Sequence, residues 1–77
     1  MRTDLFELLD AMAARGKARR RELGLEVGDL ARRLGTSTGR AHNLESVGAS
    51  TLRLAARWAE ALEMPLDELV FGSRAAR

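Results

Sequence analysis

Apolar residues recur at spacings of three and four along nearly the whole chain, which is the period of an amphipathic α-helix. β-branched residues are few and never alternate with polar ones, so no strand is predicted. The pattern divides into five segments, and the second, third and fourth are expected to turn their apolar positions inward. The apolar positions are Leu5, Leu8, Leu9 and Met12; Leu30, Ala31 and Leu34; Ala41 and Leu44; Leu52, Ala55, Trp58, Ala59 and Leu62; and Leu66, Leu69 and Val70. The predicted fold class is all-α, with five helices.

Two of these helices are predicted to lie very close together along the chain. The second covers residues 27–34 and is closed by Gly35, which suits a left-handed C-terminal position. The third runs from about Ser37 to about Glu45, with the Ser37 hydroxyl capping its first turn. Only Gly35 and Thr36 then interrupt the helices.

Three other helix boundaries are less sharply defined by the sequence. Thr3 is predicted to cap the first helix, which either runs on to about Leu23 or breaks at Gly16. A glycine inside a helix costs ~1 kcal/mol relative to alanine, so Gly16 is expected to be a weak point. Ser50 or Thr51 caps the fourth helix.

Length, cysteine content and charge narrow the class of protein. The 77 residues suit one domain, 1–77, in which residues 1–15 form an N-terminal amphipathic helix or extension and 73–77 a tail. The absence of cysteine excludes disulfides and thiolate metal sites. Residues 16–58 hold nine basic and four acidic side chains, a formal net charge of +5. Such a segment is either a surface that faces a polyanion or a solvated face of mixed charge.

No membrane or secretory segment is expected from the sequence. No apolar run approaches the ~20 residues that a membrane span requires, and the first residues lack the apolar centre of a signal peptide. The expected location is the cytoplasm.

The second and third helices have the arrangement of a helix-turn-helix, in which one helix supports another that enters the major groove of DNA. Small Ala31 at the crossing and Gly35 at the turn suit that packing. The sequences LGL, DLARRLGTS, LE, AEAL and PLDELVFG together resemble the lambda-repressor-like, or Cro/Xre-type, helix-turn-helix family over residues 17–72. The resemblance implies a five-helix domain that binds double-stranded operator DNA as a homodimer and acts as a transcriptional regulator, namely a repressor located on the nucleoid.

Helical spacing and the resemblance together indicate which residues contact DNA. Because Ala41 and Leu44 face inward, the other side chains of the third helix face outward. Asn43 suits bidentate contact with adenine, Arg40 contact with guanine or phosphate, and Thr38 contact with phosphate or a thymine methyl group. The candidate DNA-binding residues are Ser37, Thr38, Gly39, Arg40, His42, Asn43 and Arg53.

The resemblance also implies an internal ion pair between Arg20 on the first helix and Glu45 at the end of the third. Other positions differ from the family pattern. Val27 and Glu26 stand where a phosphate-binding Gln and a Ser, Thr or Asn cap are usual, so the second helix is expected to start poorly. Gly39 places no side chain at a position that usually contacts a base.

Catalysis and metal binding are not expected. His42 is the only histidine, and no cysteine or cluster of carboxylates accompanies it in the sequence. No set of nucleophile, base and orienting group is recognisable, so the protein is predicted not to be an enzyme and to need no cofactor or metal.

The N-terminal apolar stripe is larger than one small helix requires, and the family pattern does not account for it. It comprises Leu5, Phe6, Leu8, Leu9 and Met12. These residues either cover the domain's own core, through Leu54, or pack against another chain, and an interface is favoured. The alternative function that follows is a protein-interaction module of the same fold, such as an antitoxin that binds a toxin and its own operator.

Overall fold

A computed structural model of the chain describes residues 4–72 and, over that range, contains five α-helices and no strand. The helices are α1 (Leu5–Glu22), α2 (Val27–Leu34), α3 (Thr38–Val47), α4 (Leu52–Ala61) and α5 (Leu66–Phe71). The predicted all-α class is confirmed. Within the described residues, no helix is both long and apolar enough to span a membrane.

α1 is a single helix that continues through Gly16 to Glu22, so of the two alternatives the unbroken helix is confirmed. The carboxylate of Asp4 caps it by accepting the N–H of Phe6 at 2.7 Å, whereas Thr3, the predicted cap, lies outside the described residues. Gly16 is buried beneath Trp58, and a Cβ built on Gly16 would lie 2.1 Å from Cζ2 of the indole. The glycine therefore lets a large core residue approach the helix backbone.

Residues 35–37 form the connection between α2 and α3. Gly35 has φ of 69°, in the left-handed region, and the N–H of Thr36 donates to the carbonyl of Ala31 at 3.0 Å. The Ser37 hydroxyl accepts the N–H of Arg40 at 3.1 Å, as a capping residue does. α3 extends to Val47, two residues beyond the predicted end.

The start of α2 is better supported than its first residues indicate. The carboxylate of Asp29, in the first turn, accepts the backbone N–H of Glu26 at 2.9 Å. This bond is one of the two that make up a capping box, and it gives the backbone N–H of Glu26 a hydrogen-bond acceptor. The expectation of a poor start overlooked this acidic side chain.

α4 differs from its prediction at its first residue. The Thr51 hydroxyl accepts the N–H of Leu54 at 3.1 Å, which decides the choice between Ser50 and Thr51. Leu52, predicted to face inward, is 70% exposed, because the first residues of α4 to pack against the core are Leu54 and Ala55.

The core is built from all five helices, and its largest fully buried side chains are Trp58, Leu30, Leu62 and Leu69. Met12 belongs to this core and Leu9 packs against it. The C-terminal part of the N-terminal stripe, Leu9 and Met12, therefore covers the domain's own core, which was one of the two alternatives drawn from the sequence.

Candidate nucleic-acid interface

The outward face of α3 is an exposed row of small and polar residues. Ala41 and Leu44, 0% and 5% exposed, fix the rotation of the helix by packing into the core. The remaining positions before Glu45 therefore face solvent. The six candidate residues of this segment, all exposed, are Ser37, Thr38, Gly39, Arg40, His42 and Asn43.

Arg53 is the seventh candidate and lies on a different helix. It is exposed in the first turn of α4, outside the row on α3. His42 is exposed as well, and within residues 4–72 no group of three His, Cys, Asp or Glu side chains could hold a metal ion.

The ion pair implied between Arg20 and Glu45 is present and nearly closed to solvent. The guanidinium donates from Nε to Oε2 at 2.5 Å and from Nη2 to Oε1 at 3.1 Å, and the two side chains are 10% and 2% exposed. A third bond, from Nη1 to the carbonyl of Leu25 at 2.7 Å, satisfies the other side of the guanidinium. The hydrogen bond to Glu45 raises the pKa of Arg20, although burial opposes it. This contact joins α3 to α1.

Gly39, in the first turn of α3, leaves the backbone there without a side chain of its own. An added Cβ at Gly39 would meet only Ser37 Oγ, at 3.9 Å, so the space above this glycine is open. Gly28 lies close by, since its added Cβ would be 4.0 Å from the hydroxyl of Thr38. The first turns of α2 and α3 are thus neighbours with little side-chain cover. Helix N-termini carry a partial positive charge and free N–H groups, which suit phosphate oxygens.

Several arginines make hydrogen bonds or ion pairs within the fold, and all of them except Arg15 belong to residues 16–58. Four arginines donate to backbone carbonyls at the C-terminal ends of helices, where cations complement the helix dipole. The bonds run from Arg15 to Leu69 at 2.8 Å, from Arg19 to Leu62 at 3.0 Å, from Arg33 to Ala61 at 2.8 Å and from Arg57 to Leu34 at 3.0 Å. Arg20 is held by Glu45, and Arg32 pairs with Asp29. These bonds fix where the guanidinium groups lie without changing the net charge of +5, and Arg32, Arg33 and Arg57 remain exposed.

One of these arginines, Arg19, has a second backbone partner. Its guanidinium also donates to the carbonyl of Glu63 at 3.1 Å, so it closes the end of α4. No sequence spacing indicates such bonds, because the partners are more than forty residues apart.

The N-terminal stripe leaves an apolar surface beside the start of α4. Leu5 and Phe6 are 64% and 73% exposed, Leu8 is half-buried, and Leu52 stands nearby. Leu5, Leu8 and Leu52 border a groove of about 380 Å³ whose floor includes Val70.

No protein-family model matches the chain, and no curated protein matches it.

Proposed function

We propose that the protein is a sequence-specific transcriptional regulator, a repressor of the lambda-repressor-like type, which places α3 in the major groove of double-stranded DNA. The observation that carries the proposal is the α2, turn, α3 arrangement, with an exposed polar row on α3. The burial of Ala41 and Leu44 and the Arg20–Glu45 pair fix the orientation of that row. An α-helix fits the width of the major groove of B-DNA.

The residues divide between positioning and recognition. Ser37, the free N–H groups at the start of α3 and Arg53 contact phosphate, and these contacts set the register on the duplex. Asn43 pairs with adenine, Arg40 reaches guanine or phosphate, and Thr38 contacts a phosphate or a thymine methyl group. Gly39 lets the backbone approach the bases closely and contributes no selectivity of its own.

The active form is a homodimer in the cytoplasm, bound to the nucleoid through DNA. Two copies of α3 would enter successive major grooves on one side of the duplex, with half-sites about one helical turn, roughly 34 Å, apart. One domain of this size makes few base contacts. A dimer contacts two half-sites, and the second half-site supplies the selectivity that one copy lacks.

Binding to duplexes selected from random DNA should fall steeply with salt, because phosphate contacts release counterions. Arg40→Gln should lower the slope of log K against log[salt] by about one if Arg40 contacts phosphate, or relax selectivity at one guanine if it contacts a base.

Asn43→Ala should weaken binding to the preferred sequence by about 1 to 3 kcal/mol and binding to other sequences by less. Fluorescence anisotropy across a salt series measures all of these quantities.

The matched control is Arg21→Gln, which changes an exposed arginine on α1 instead of one on α3, and the affinity of this variant should stay close to that of the wild type. Failure to select any duplex, or binding that does not depend on salt, would refute the proposal.

The second candidate function is a protein-interaction module such as an antitoxin, and the exposed apolar residues beside α4 favour it. Leu5→Asp and Leu52→Asp should each abolish binding of a purified protein partner, since an acid there would be buried without a counterion. Phe71→Asp is the matched control, since Phe71 is 76% exposed and does not border the groove. Isothermal titration calorimetry compares the three variants, and equal affinity for all would exclude this surface.

A further inference from the structure

A cleft of about 240 Å³ lies between the helix-turn-helix and α4. Its apolar wall is formed by Leu34, Leu44 and Leu54, which come from α2, α3 and α4 respectively. Its polar edge is formed by Thr36, Arg40 and Arg57. Three helices and the turn therefore surround one small space directly behind the exposed row on α3.

The charge of this cleft is unbalanced. Two guanidinium groups line it and no acidic side chain does, whereas the neighbouring cleft on the other side of Arg57 is bordered by Glu60 and Glu63. Arg57 is anchored by its bond from Nη2 to the carbonyl of Leu34 at 3.0 Å, which leaves its other N–H groups unused. The side chain of Arg40 makes no hydrogen bond or ion pair within residues 4–72.

We propose that this cleft is a binding site for a small organic carboxylate with an apolar body. The carboxylate would accept hydrogen bonds from Arg40 and Arg57, because guanidinium groups favour carboxylate partners. The apolar body would cover the three leucines. The hydroxyl of Thr36 adds a donor at the same edge.

The size and the lining narrow the class of ligand. A volume of about 240 Å³ corresponds to roughly eight water molecules at ~30 Å³ each, which suits a single ring or short chain rather than a nucleotide or a peptide. Inorganic phosphate would satisfy the arginines but would leave the leucines in contact with water. The anchored position of Arg57 means that little side-chain ordering is needed when the ligand binds.

Occupancy of the cleft would affect DNA binding through Arg40, and this consequence rests on the proposed function. An arginine that holds the carboxylate is withdrawn from the DNA, so ligand and DNA would oppose each other. Because coupling between sites is reciprocal, DNA would weaken ligand binding by the same factor.

The test is a titration followed by two-dimensional amide NMR, with benzoate as the probe and benzamide and inorganic phosphate as comparators. Benzoate should give saturable shifts centred on Leu34, Leu44 and Leu54. Arg40→Gln, which removes no contact of the folded chain, should weaken benzoate binding roughly ten-fold or more. Arg57→Lys should weaken it less, since the charge stays, and Arg53→Gln on the same helix should leave it unchanged.

Three results of the benzoate titration would overturn the proposal. No saturable shift up to about 10 mM benzoate would exclude the site. Equal affinity for benzamide would show that the cations do not matter, and equal affinity for phosphate would show that the leucines do not. A second titration asks whether saturating benzoate weakens DNA binding by the wild type but not by Arg40→Gln, with acetate matching the ionic strength. Failure to bind DNA would refute the proposed function and leave the result on the cleft intact.

Discussion

Arg20→Met should lower the free energy of unfolding by about 3 to 5 kcal/mol. The substitution leaves the Glu45 carboxylate, whose side chain is 2% exposed, buried without the two hydrogen bonds that now compensate it. It also frees the carbonyl of Leu25. Since a domain of this size has few kcal/mol to lose, the melting temperature should fall by more than roughly 10 °C. Urea unfolding followed by Trp58 fluorescence measures the change.

The double variant Arg20→Met with Glu45→Leu separates the buried charge from the lost contact. Replacing both partners by apolar residues removes the unpaired carboxylate, so much of the stability should return. Arg21→Met is the matched control, because Arg21 is the exposed neighbour on the same helix, and it should change stability by less than about 0.5 kcal/mol. A double variant as unstable as Arg20→Met would mean that the buried charge is not the source of the loss.

The same pair has a defined dependence on pH through the arginine. The pKa of Arg20 is raised in the folded chain by its hydrogen bond to Glu45. The contribution of this raised pKa to the free energy of unfolding is therefore complete at every pH below the ordinary pKa of arginine. It would be lost only as the pH rises through the folded value. Titration of Arg20 therefore leaves the anchoring of α3 unchanged at neutral pH.

The features that could be predicted from the sequence are those that neighbouring residues determine. The limits of α2 follow from its apolar positions and from Gly35, whose positive φ a glycine adopts without strain. The cap of α3 follows from Ser37, and the exposed row on α3 follows from the helical period once Ala41 and Leu44 are placed inside. Each of these signals acts within one or two turns of helix.

The features that could not be predicted depend on residues far apart in the chain. The arginines that bond to helix ends give no local signal, so a count of charges does not show which of them are held within the fold. Leu52 fits an apolar stripe by spacing, yet whether it is covered depends on what packs against the first turn of α4. In each case the sequence shows the residue type, and the tertiary contact decides its role.

The packing of Gly16 against Trp58 is the clearest example of such a contact, and it predicts a second large change in stability. Gly16→Ala should destabilise the protein by about 1 to 3 kcal/mol, although alanine is the better helix former by about 1 kcal/mol. The added methyl group would lie 2.1 Å from Cζ2 and 2.8 Å from Cε2 of Trp58, which is itself fully buried. Neither the helix backbone nor the enclosed indole can move away without disturbing the core.

Gly39→Ala provides the matched comparison, since it makes the same chemical change on another helix where the added methyl group meets nothing closer than 3.9 Å. This variant should gain about 0.5 to 1 kcal/mol, so the two substitutions should differ in sign. Combining Gly16→Ala with Trp58→Phe tests the cause directly, because the smaller ring removes the obstructing atoms. In the Trp58→Phe background, Gly16→Ala should lower the free energy of unfolding by much less. Unfolding followed by circular dichroism measures the change. An equal cost in both backgrounds would contradict the steric explanation and point to a property of the α1 backbone itself.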